Sequence, residues 1–295
     1  MRGKRTVLGV AALATVSAVP TLVAGPGVPG RSAPDGAVAG ALNAPGSSTP
    51  GATAPPTTAP RITPPAAPPV AGDWRVVARY TFDRGLGQGL VRDDSGHGHT
   101  LQVASRNGGR VLPAVRGRGF AVRYPRPCHP WLAVRRPTAA ATCPRVVLQA
   151  RSSADLNPGT RPFSWGAMVQ LAVGATSPGE NILQKGLHDR MGQFKLQVDG
   201  AAGYPSCVLT ETRTGRFHKA LGRRSIADGS WHRIDCVRTR NRLSILIDGR
   251  PDDYRRIPST LRISNSMPLR IGGKGVLGGN DQFNGAVDNV YVARG

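Results

Sequence analysis

From residue 73 to the end of the chain, hydrophobic residues recur at every second position in short runs that Gly, Pro, Asn and Asp interrupt. The runs at 163–173 and 194–198 are clear examples, with apolar residues on one side and Ser, Gly, Gln or Lys on the other. A period of two is typical of half-buried antiparallel strands. No stretch has helical periodicity, and 26 prolines spread along the chain exclude an all-helical bundle.

The best-defined pair of strands lies between Trp231 and Arg250. Ile234 and Cys236 share one face with His232, Leu243–Ile247 repeats the alternation, and Asp248-Gly249 is a strong turn signal. Many short strands with such breaks predict an all-β domain over residues 73–295. We expect one sandwich of two antiparallel sheets.

Two segments precede this domain. The first residues are basic and an apolar run follows to Ala24, which predicts a secretory signal peptide over residues 1–24. Its cleavage site is left open as far as residue 39, and an uncleaved anchor is the alternative. Residues 25–72 hold 12 of the 26 prolines and few large apolar residues, which predicts a disordered linker. We therefore expect an extracellular protein without a stable membrane span after cleavage.

The chain has four cysteines, Cys128, Cys143, Cys207 and Cys236, all in the predicted domain. An even count in an exported chain indicates two disulfides rather than a metal site. Three pairings are formally possible. We favour Cys128–Cys143 and Cys207–Cys236, each joining neighbours in sequence, and expect the second bond to link neighbouring strands.

The charge is strongly positive, with 39 basic and 17 acidic residues and a formal net charge of +22. Residues 73–295 alone hold 34 basic and 16 acidic residues, of which only Glu180 and Glu211 are glutamates. Arg far outnumbers Lys, and such a bias has two explanations: a GC-rich genome or selection for anionic partners. The field attracts polyanions in either case. Export argues against a specific nucleic-acid partner.

Five blocks of sequence occur in the order found in one family. They are Tyr80-Thr81-Phe82-Asp83 followed by Asp94-Ser95-Gly96-His97-Gly98-His99, Phe163-Ser164-Trp165, Gly229-Ser230-Trp231-His232, Ile247-Asp248-Gly249 and Phe283–Val290. Together they resemble bacterial laminin-G-like modules of the concanavalin A-like lectin/glucanase superfamily. The resemblance covers roughly residues 74–294 and implies a jelly-roll sandwich. The sequence departs from the family pattern at His97 and His99, where Asn is common.

This fold serves lectins, adhesive modules and glycoside hydrolases alike, so the residues have to decide the function. Laminarinase-type enzymes on the fold supply their two carboxylates from an E-x-D-x-x-E strand. Neither Glu180 nor Glu211 begins such a pattern, and no G-x-S-x-G motif occurs. We interpret His97 and His99 as part of a solvated turn rather than a metal pair. The sequence therefore predicts a protein that is not an enzyme.

The resemblance also implies one structural calcium ion, because family members hold such an ion. If the first and last strands pair, Asp83 and Asp288 approach each other, and Asp94 completes the oxygen ligands together with backbone carbonyls. The alternative is that these aspartates only cap turns.

For sugar binding we look for exposed aromatic rings with polar neighbours. Trp131, Tyr204 and Tyr254 lie in proline-rich or charged segments, whereas Trp165 and Trp231 are expected in the core. The arginines that flank these segments are Arg123, Arg126, Arg135, Arg136, Arg255 and Arg256. Of these, Arg255 is the preferred ligand-binding candidate beside Tyr254, because Arg binds anionic groups bidentately.

The sequence thus predicts a secreted, non-catalytic module that binds carbohydrate or an anionic cell-surface polymer. A structural or protein-adhesion domain without a sugar site is the alternative, and an unrecognised glycoside hydrolase is a third. The oligomeric state is left open.

Overall fold

The computed structural model describes residues 74–128, 142–177, 179–190 and 192–295. The predicted signal peptide and linker lie outside the described residues, and so do Trp131, Arg135 and Arg136.

Sixteen strands account for nearly half of the described residues. They are β1 (Arg75–Tyr80), β2 (Leu90–Val91), β3 (Leu101–Arg106), β4 (Leu112–Arg116), β5 (Gly119–Arg123), β6 (Arg145–Ala150), β7 (Phe163–Gln170), β8 (Gly179–Lys185), β9 (Gln193–Asp199), β10 (Tyr204–Thr210), β11 (Phe217–Leu221), β12 (Trp231–Arg238), β13 (Arg242–Ile247), β14 (Arg250–Arg256), β15 (Leu269–Ile271) and β16 (Ala286–Arg294). Short 3-10 turns occupy Gly87–Gly89, Ala154–Leu156 and His188–Arg190.

The strands form two antiparallel sheets of eight strands each, which confirms the predicted all-β sandwich. The first sheet has the order β14-β13-β12-β7-β16-β5-β4, with β1 also paired to β16. The second sheet has the order β11-β10-β9-β8-β15-β6-β3-β2. The first and last strands therefore pair, as expected, with Tyr80 opposite Val290.

The apolar sides of the two sheets face each other and form the core. Phe163 and Trp165 of β7 stack with ring centroids 4.6 Å apart, and Phe194 of β9 contacts both rings at 5.4 Å. All three side chains are fully buried. The alternation seen in the sequence thus reports directly which side of each strand faces the core.

The turn predicted at Asp248-Gly249 joins β13 to β14. Both residues have positive φ, 54° and 75°, as a two-residue type I′ hairpin requires. Asp248 also stabilises the entry to β12, because its carboxylate accepts the Arg233 backbone N–H at 2.9 Å.

One expectation about the core is wrong. Trp165 is buried, but Trp231 is only partly buried, and the Arg116 guanidinium lies 5.2 Å from its ring centroid. Ile234 and Cys236 face the core, so the alternation itself places Trp231 on the outer side of the first sheet.

Both disulfides are present, Cys128–Cys143 and Cys207–Cys236. The second bond corrects the expectation that it links neighbouring strands: Cys207 belongs to β10 of the second sheet, whereas Cys236 belongs to β12 of the first. It crosses the core because both side chains point inward from their sheets.

Among the described residues, no helix has the length and apolar character that a membrane span requires.

Candidate functional site

The outer face of the second sheet carries a groove with a volume of about 700 Å³, which we call the second-sheet groove. The lining residues are Ala104, Val147, Gln149, Asn181, Gln184, Leu187, His188, Asp189, Gln193, Lys195, Met267, Arg270, Lys274, Gly275, Val276, Leu277, Gly278, Asn280 and Asp281. Amide, carboxylate and cationic side chains thus converge on one concave surface.

Strand alternation explains the floor of the groove. Leu148, Leu269 and Ile271 face the core, so the residues between and beside them, Gln149 and Arg270, face outward. Arg270 lies opposite Gln149 on one side and opposite Gln184 on the other, and Gln184 lies opposite Lys195. One row of polar side chains therefore crosses four adjacent strands.

The chain between β15 and β16 forms one wall. This wall is closed on itself by the Lys274 N–H donating to the Asn280 carbonyl at 2.9 Å and by Asn280 Nδ2 donating to the Gly275 carbonyl at 2.9 Å. It is tied to β8 because the Asn181 N–H donates to the Asp281 carbonyl at 3.0 Å. Lys274 Nζ and Asp281 form an ion pair at 3.0 Å.

Two amide side chains at the floor, Asn181 and Gln193, are only partly satisfied. Asn181 Nδ2 donates to Gln184 Oε1 at 2.7 Å, and Gln193 Nε2 donates to the Gly186 carbonyl at 3.2 Å. Asn181 and Gln193 are 1% and 3% exposed, yet Asn181 Oδ1 and Gln193 Oε1 accept no hydrogen bond from the described residues. Both oxygen atoms are buried themselves, so these amides shape the floor of the groove rather than present free acceptors to it.

An aromatic side chain stands beside these amides. Phe217 of β11 lies in register with Thr210, which lies opposite Gln193. Its ring is 48% exposed and meets the His188 ring edge-on, with centroids 6.1 Å apart. The rim of the groove therefore offers an apolar face next to hydrogen-bonding groups.

Glu180 is not part of this surface. It is fully buried, its Oε2 accepts the Asn284 N–H at 3.1 Å, and burial raises its pKa to about 8. Glu211 lies in the turn after β10, where it accepts the Thr214 hydroxyl. The carboxylates that do line the groove are Asp189 and Asp281.

The ligand-binding residues predicted from the sequence lie elsewhere. Tyr204 begins β10 and is 38% exposed, whereas Tyr254 is 51% exposed on β14, the edge strand of the first sheet. The Arg242 guanidinium lies 3.8 Å from the Tyr254 ring centroid. Arg255 and Arg256 are exposed on β14 as well. The tyrosines thus belong to different sheets.

The three aspartates predicted as calcium ligands are each engaged by protein groups. Asp83 Oδ1 accepts the Phe120 N–H at 2.9 Å, and Asp94 Oδ2 accepts the Thr81 hydroxyl at 2.9 Å. Asp288 Oδ2 accepts from Arg116 Nη1 at 2.7 Å.

Asp83 and Asp288 are close enough to interact electrostatically. Burial raises the pKa of Asp288 to about 6, and the Asp83 charge adds to the rise. Within the described ranges, no three acidic, His or Cys side chains are grouped to hold a metal ion. Calcium binding by Asp83, Asp94 and Asp288 therefore stays a prediction.

The two histidines of the Asp94–His99 turn are held separately. His99 is buried and its Nε2 lies 2.8 Å from Asp155 Oδ2, whereas His97 Nε2 accepts from Arg75 at 3.0 Å. The turn is therefore more ordered than the solvated turn expected from its glycines.

Sequence reasoning missed the groove residues, although one signal was present. The run at 194–198 places Lys195 and Gln197 opposite the apolar side, and the same pattern recurs with Gln149, Gln184 and Arg270. These positions show which side faces outward. They do not show that five strands and the 272–281 segment bring them together.

Comparison with known proteins agrees with the architecture. The sequence profile Laminin_G_3, described as the concanavalin A-like lectin/glucanases superfamily, matches residues 148–294. No curated protein matches the chain significantly.

Solved structures with a similar fold include one arabinanase domain and the binding domains of two toxins. Domain 4 of the GH43 extracellular arabinanase AbnA from Geobacillus stearothermophilus, in complex with arabinotriose, aligns with a TM-score of 0.52 and 14% identity over 76% of this chain and 94% of that one. The binding domain of botulinum neurotoxin DC in complex with SialylT aligns with a TM-score of 0.52 and 12% identity over 74% and 47%. The receptor binding domain of botulinum neurotoxin D aligns with a TM-score of 0.50 and 8% identity over 74% and 48%.

The chain thus spans about half the length of the toxin domains it matches. At these identities the likeness shows the fold alone. The profile match, the two eight-stranded sheets and the order of the sequence blocks agree with one another. Residues 148–294 therefore belong to a laminin-G-like domain of the concanavalin A-like lectin/glucanases superfamily.

Proposed function

We propose that this chain is a secreted, non-catalytic module that binds carbohydrate in the second-sheet groove. The observation that carries the proposal is the row of polar side chains, Gln149, Arg270, Gln184 and Lys195, that crosses four strands at the floor of a groove of about 700 Å³. Amide and cationic side chains form hydrogen bonds with hydroxyl groups, so such a groove suits polyhydroxylated ligands.

Two further features support the proposal. The exposed Phe217 ring, which contacts the groove residue His188, and the exposed Leu277 side chain, which lines the groove, offer apolar contacts to the faces of sugar rings. Proteins with the same fold have been solved with arabinotriose and with SialylT. The two disulfides suit an extracellular protein.

The arrangement of carboxylates supports binding rather than hydrolysis. A retaining glycosidase needs two carboxyl groups about 5–5.5 Å apart that flank the scissile bond. Glu180 is buried beneath the sheet, and Asp281 is held by Lys274. The groove therefore offers hydrogen-bonding groups where an enzyme would place its acid and nucleophile.

Affinity electrophoresis in gels that contain soluble polysaccharides tests the site. We expect the wild-type protein to be retarded by at least one polymer, and the double variant Asn181→Ala/Gln193→Ala to bind it about tenfold more weakly. Gln170→Ala is the matched control, because Gln170 is an amide on the first sheet, where Arg123 donates to it at 3.2 Å. Equal loss in the control, or no loss in the double variant, would exclude the groove as the binding site.

Protein adhesion without a sugar site is the second candidate function. Val115 and Phe120 lie opposite each other on the β4–β5 hairpin, and both are exposed together with Leu112. Exposed apolar groups in register are a feature of protein-binding surfaces. Adhesion would be supported by two results together: the wild-type protein binds no polysaccharide but attaches to cells, and Phe120→Ser abolishes that attachment.

A further inference from the structure

Lysine is rare in this chain, and its distribution is uneven. Only five lysines occur in 295 residues, and three of them, Lys195, Lys219 and Lys274, lie on the outer face of the second sheet or on the wall beside it. Arg270 adds a fourth cation at the groove floor. A compositional bias towards Arg does not explain why the few lysines gather here.

Two of these cations are neutralised by the protein. Lys219 Nζ lies 3.5 Å from Asp199 Oδ2, and Lys274 Nζ lies 3.0 Å from Asp281 Oδ2. Asp281 also accepts from Asn181 Nδ2 at 3.4 Å. These aspartates are therefore already committed.

The other two cations, Lys195 and Arg270, have no carboxylate partner among the described residues. Arg270 donates from Nη1 to the Lys274 carbonyl at 2.8 Å and from Nε to Gln149 Oε1 at 3.3 Å, which leaves Nη2 available. Lys195 Nζ has no hydrogen bond or ion pair within the described ranges. Both side chains project into the groove from the floor.

Both cations are also partly withdrawn from water. Burial lowers the pKa of Lys195, although Asp281 and Asp199 oppose the change, and burial lowers the pKa of Arg270. Placing a cation in such surroundings is unfavourable unless an anion lies nearby. Asp281 and Asp199 act on Lys195 only from a distance, because among the described residues each of them is paired with another lysine.

The spacing of the two cations suits a saccharide. Arg270 and Lys195 are separated by Gln184, so their backbones lie two strand spacings apart, about 10 Å. Their long side chains flank the Gln184 amide and can reach one anionic substituent from two sides, or two successive substituents. Two carboxylates also line the groove. Asp281 is paired with Lys274, and Asp189 lies in the exposed turn at His188–Arg190.

We propose that the second-sheet groove selects acidic saccharides, with Arg270 and Lys195 binding the anionic substituent. This inference rests on the proposed carbohydrate-binding function and names its ligand class. The Arg270 fork matches a carboxylate or sulfate through two N–H groups, and Lys195 adds a point charge. Gln149, which is partly exposed and lies opposite Arg270, offers its amide to the hydroxyl groups of the same sugars.

Affinity electrophoresis with three polymers tests the inference at about 0.15 M salt, where surface charges are screened. Polygalacturonate carries carboxylates, dextran sulfate carries sulfates, and arabinan is neutral. We expect Lys195→Gln and Arg270→Gln each to weaken binding of at least one acidic polymer about tenfold. Arg270→Lys, which keeps the charge but not the fork, should lose less. The acidic polymer whose binding falls identifies the anion.

Arg255→Gln is the matched control, because it removes the same charge from β14 of the first sheet. It should change binding of each polymer less than about twofold. Equal losses in Arg255→Gln and Arg270→Gln would show general charge attraction and overturn the inference.

The outcomes separate the inference from the proposed function. Binding of arabinan that Arg270→Gln does not change, with no preference for acidic polymers, would overturn the inference and keep the carbohydrate site. Failure to bind all polymers would overturn both. Melting curves of each variant confirm that it is folded before binding is compared.

Discussion

Cys207 and Cys236 bond across the core of the sandwich, with Cα atoms 5.6 Å apart and backbones in opposite sheets. Each cysteine sits in the middle of its strand, and both are fully buried. The bond therefore fixes β10 against β12 at a point where only side-chain packing otherwise holds the two sheets together.

Removal of this bond should destabilise the domain markedly. The double variant Cys207→Ala/Cys236→Ala should lower the free energy of unfolding by about 3–4 kcal/mol, because the bond closes a loop of 29 residues in the unfolded chain. Urea unfolding measures the change. The Cys128/Cys143 pair spans 15 residues, so its double variant should lose less. An unchanged urea midpoint in the first variant would contradict the prediction.

Glu180 should make stability depend on pH. Burial raises its pKa from 4.5 to about 8, so the folded state holds a proton that the unfolded state releases. The stabilisation by protonated Glu180 is complete below pH 4.5 and is lost as pH rises towards 8, with a slope of about 1.4 kcal/mol per pH unit.

Glu180→Gln mimics the protonated acid and keeps an acceptor for the Asn284 N–H. The free energy of unfolding of the wild type should therefore fall relative to that of the variant between about pH 5 and pH 8. Asp288, whose pKa is also raised, titrates in both proteins, so their difference isolates Glu180. Parallel pH profiles would show that Glu180 ionises normally in the folded protein.

Lys185 is buried, and its hydrogen bonds should stabilise the folded domain. Its Nζ donates to Ser152 Oγ and Asn157 Oδ1, both at 3.1 Å, and to the Asn265 carbonyl at 2.9 Å. Lys185→Met removes these charge-assisted hydrogen bonds from a buried position and should cost roughly 2–4 kcal/mol in the free energy of unfolding. The control Lys219→Met removes a half-exposed ion pair and should cost less than about 1 kcal/mol. Similar costs in the two variants would show that the buried contacts contribute little.

The core could be predicted because it follows from local alternation. Phe163, Trp165 and Phe194 face inward as their runs indicate, and Asp248-Gly249 forms the expected turn. Trp231 lies outside the core although its large apolar ring favours burial, because strand alternation from the buried Ile234 places it on the outer side of the sheet.

The partners of the core residues could not be predicted in the same way. Cys207 and Cys236 follow each other along the chain, but their sheets are assigned only when β9–β11 pair with β8 and β12 pairs with β7. The groove has the same origin, since Gln149, Gln184 and Arg270 become neighbours through β15, a strand of three residues. Such non-local pairings are not encoded in short-range patterns.

Calcium binding at Asp83 and Asp288 has a direct test. The ion would have to displace the Arg116 guanidinium from Asp288, where it lies at 2.7 Å. If calcium binds, it should raise the Tm of Arg116→Gln more than the Tm of the wild type, with a chelator as the reference. If neither protein has a different Tm in calcium than in chelator, the calcium site is excluded.

The final prediction separates the second-sheet groove from the surface around Tyr254 and Arg255. The Arg242 guanidinium covers one face of the Tyr254 ring at 3.8 Å, so that face is not available for stacking on a sugar. Phe217, in contrast, is 48% exposed and contacts the ring of the groove residue His188, with centroids 6.1 Å apart. Phe217→Ala should therefore weaken polysaccharide binding about fivefold to tenfold, as loss of one stacking contact of about 1 kcal/mol implies.

Tyr254→Ala should change binding of the same polymer less than about twofold, although it removes a larger and more exposed ring. The comparison uses one polymer, one salt concentration and variants with matched melting curves, so a difference reports the ligand site rather than stability. A loss confined to Tyr254→Ala would place the ligand on the edge of the first sheet.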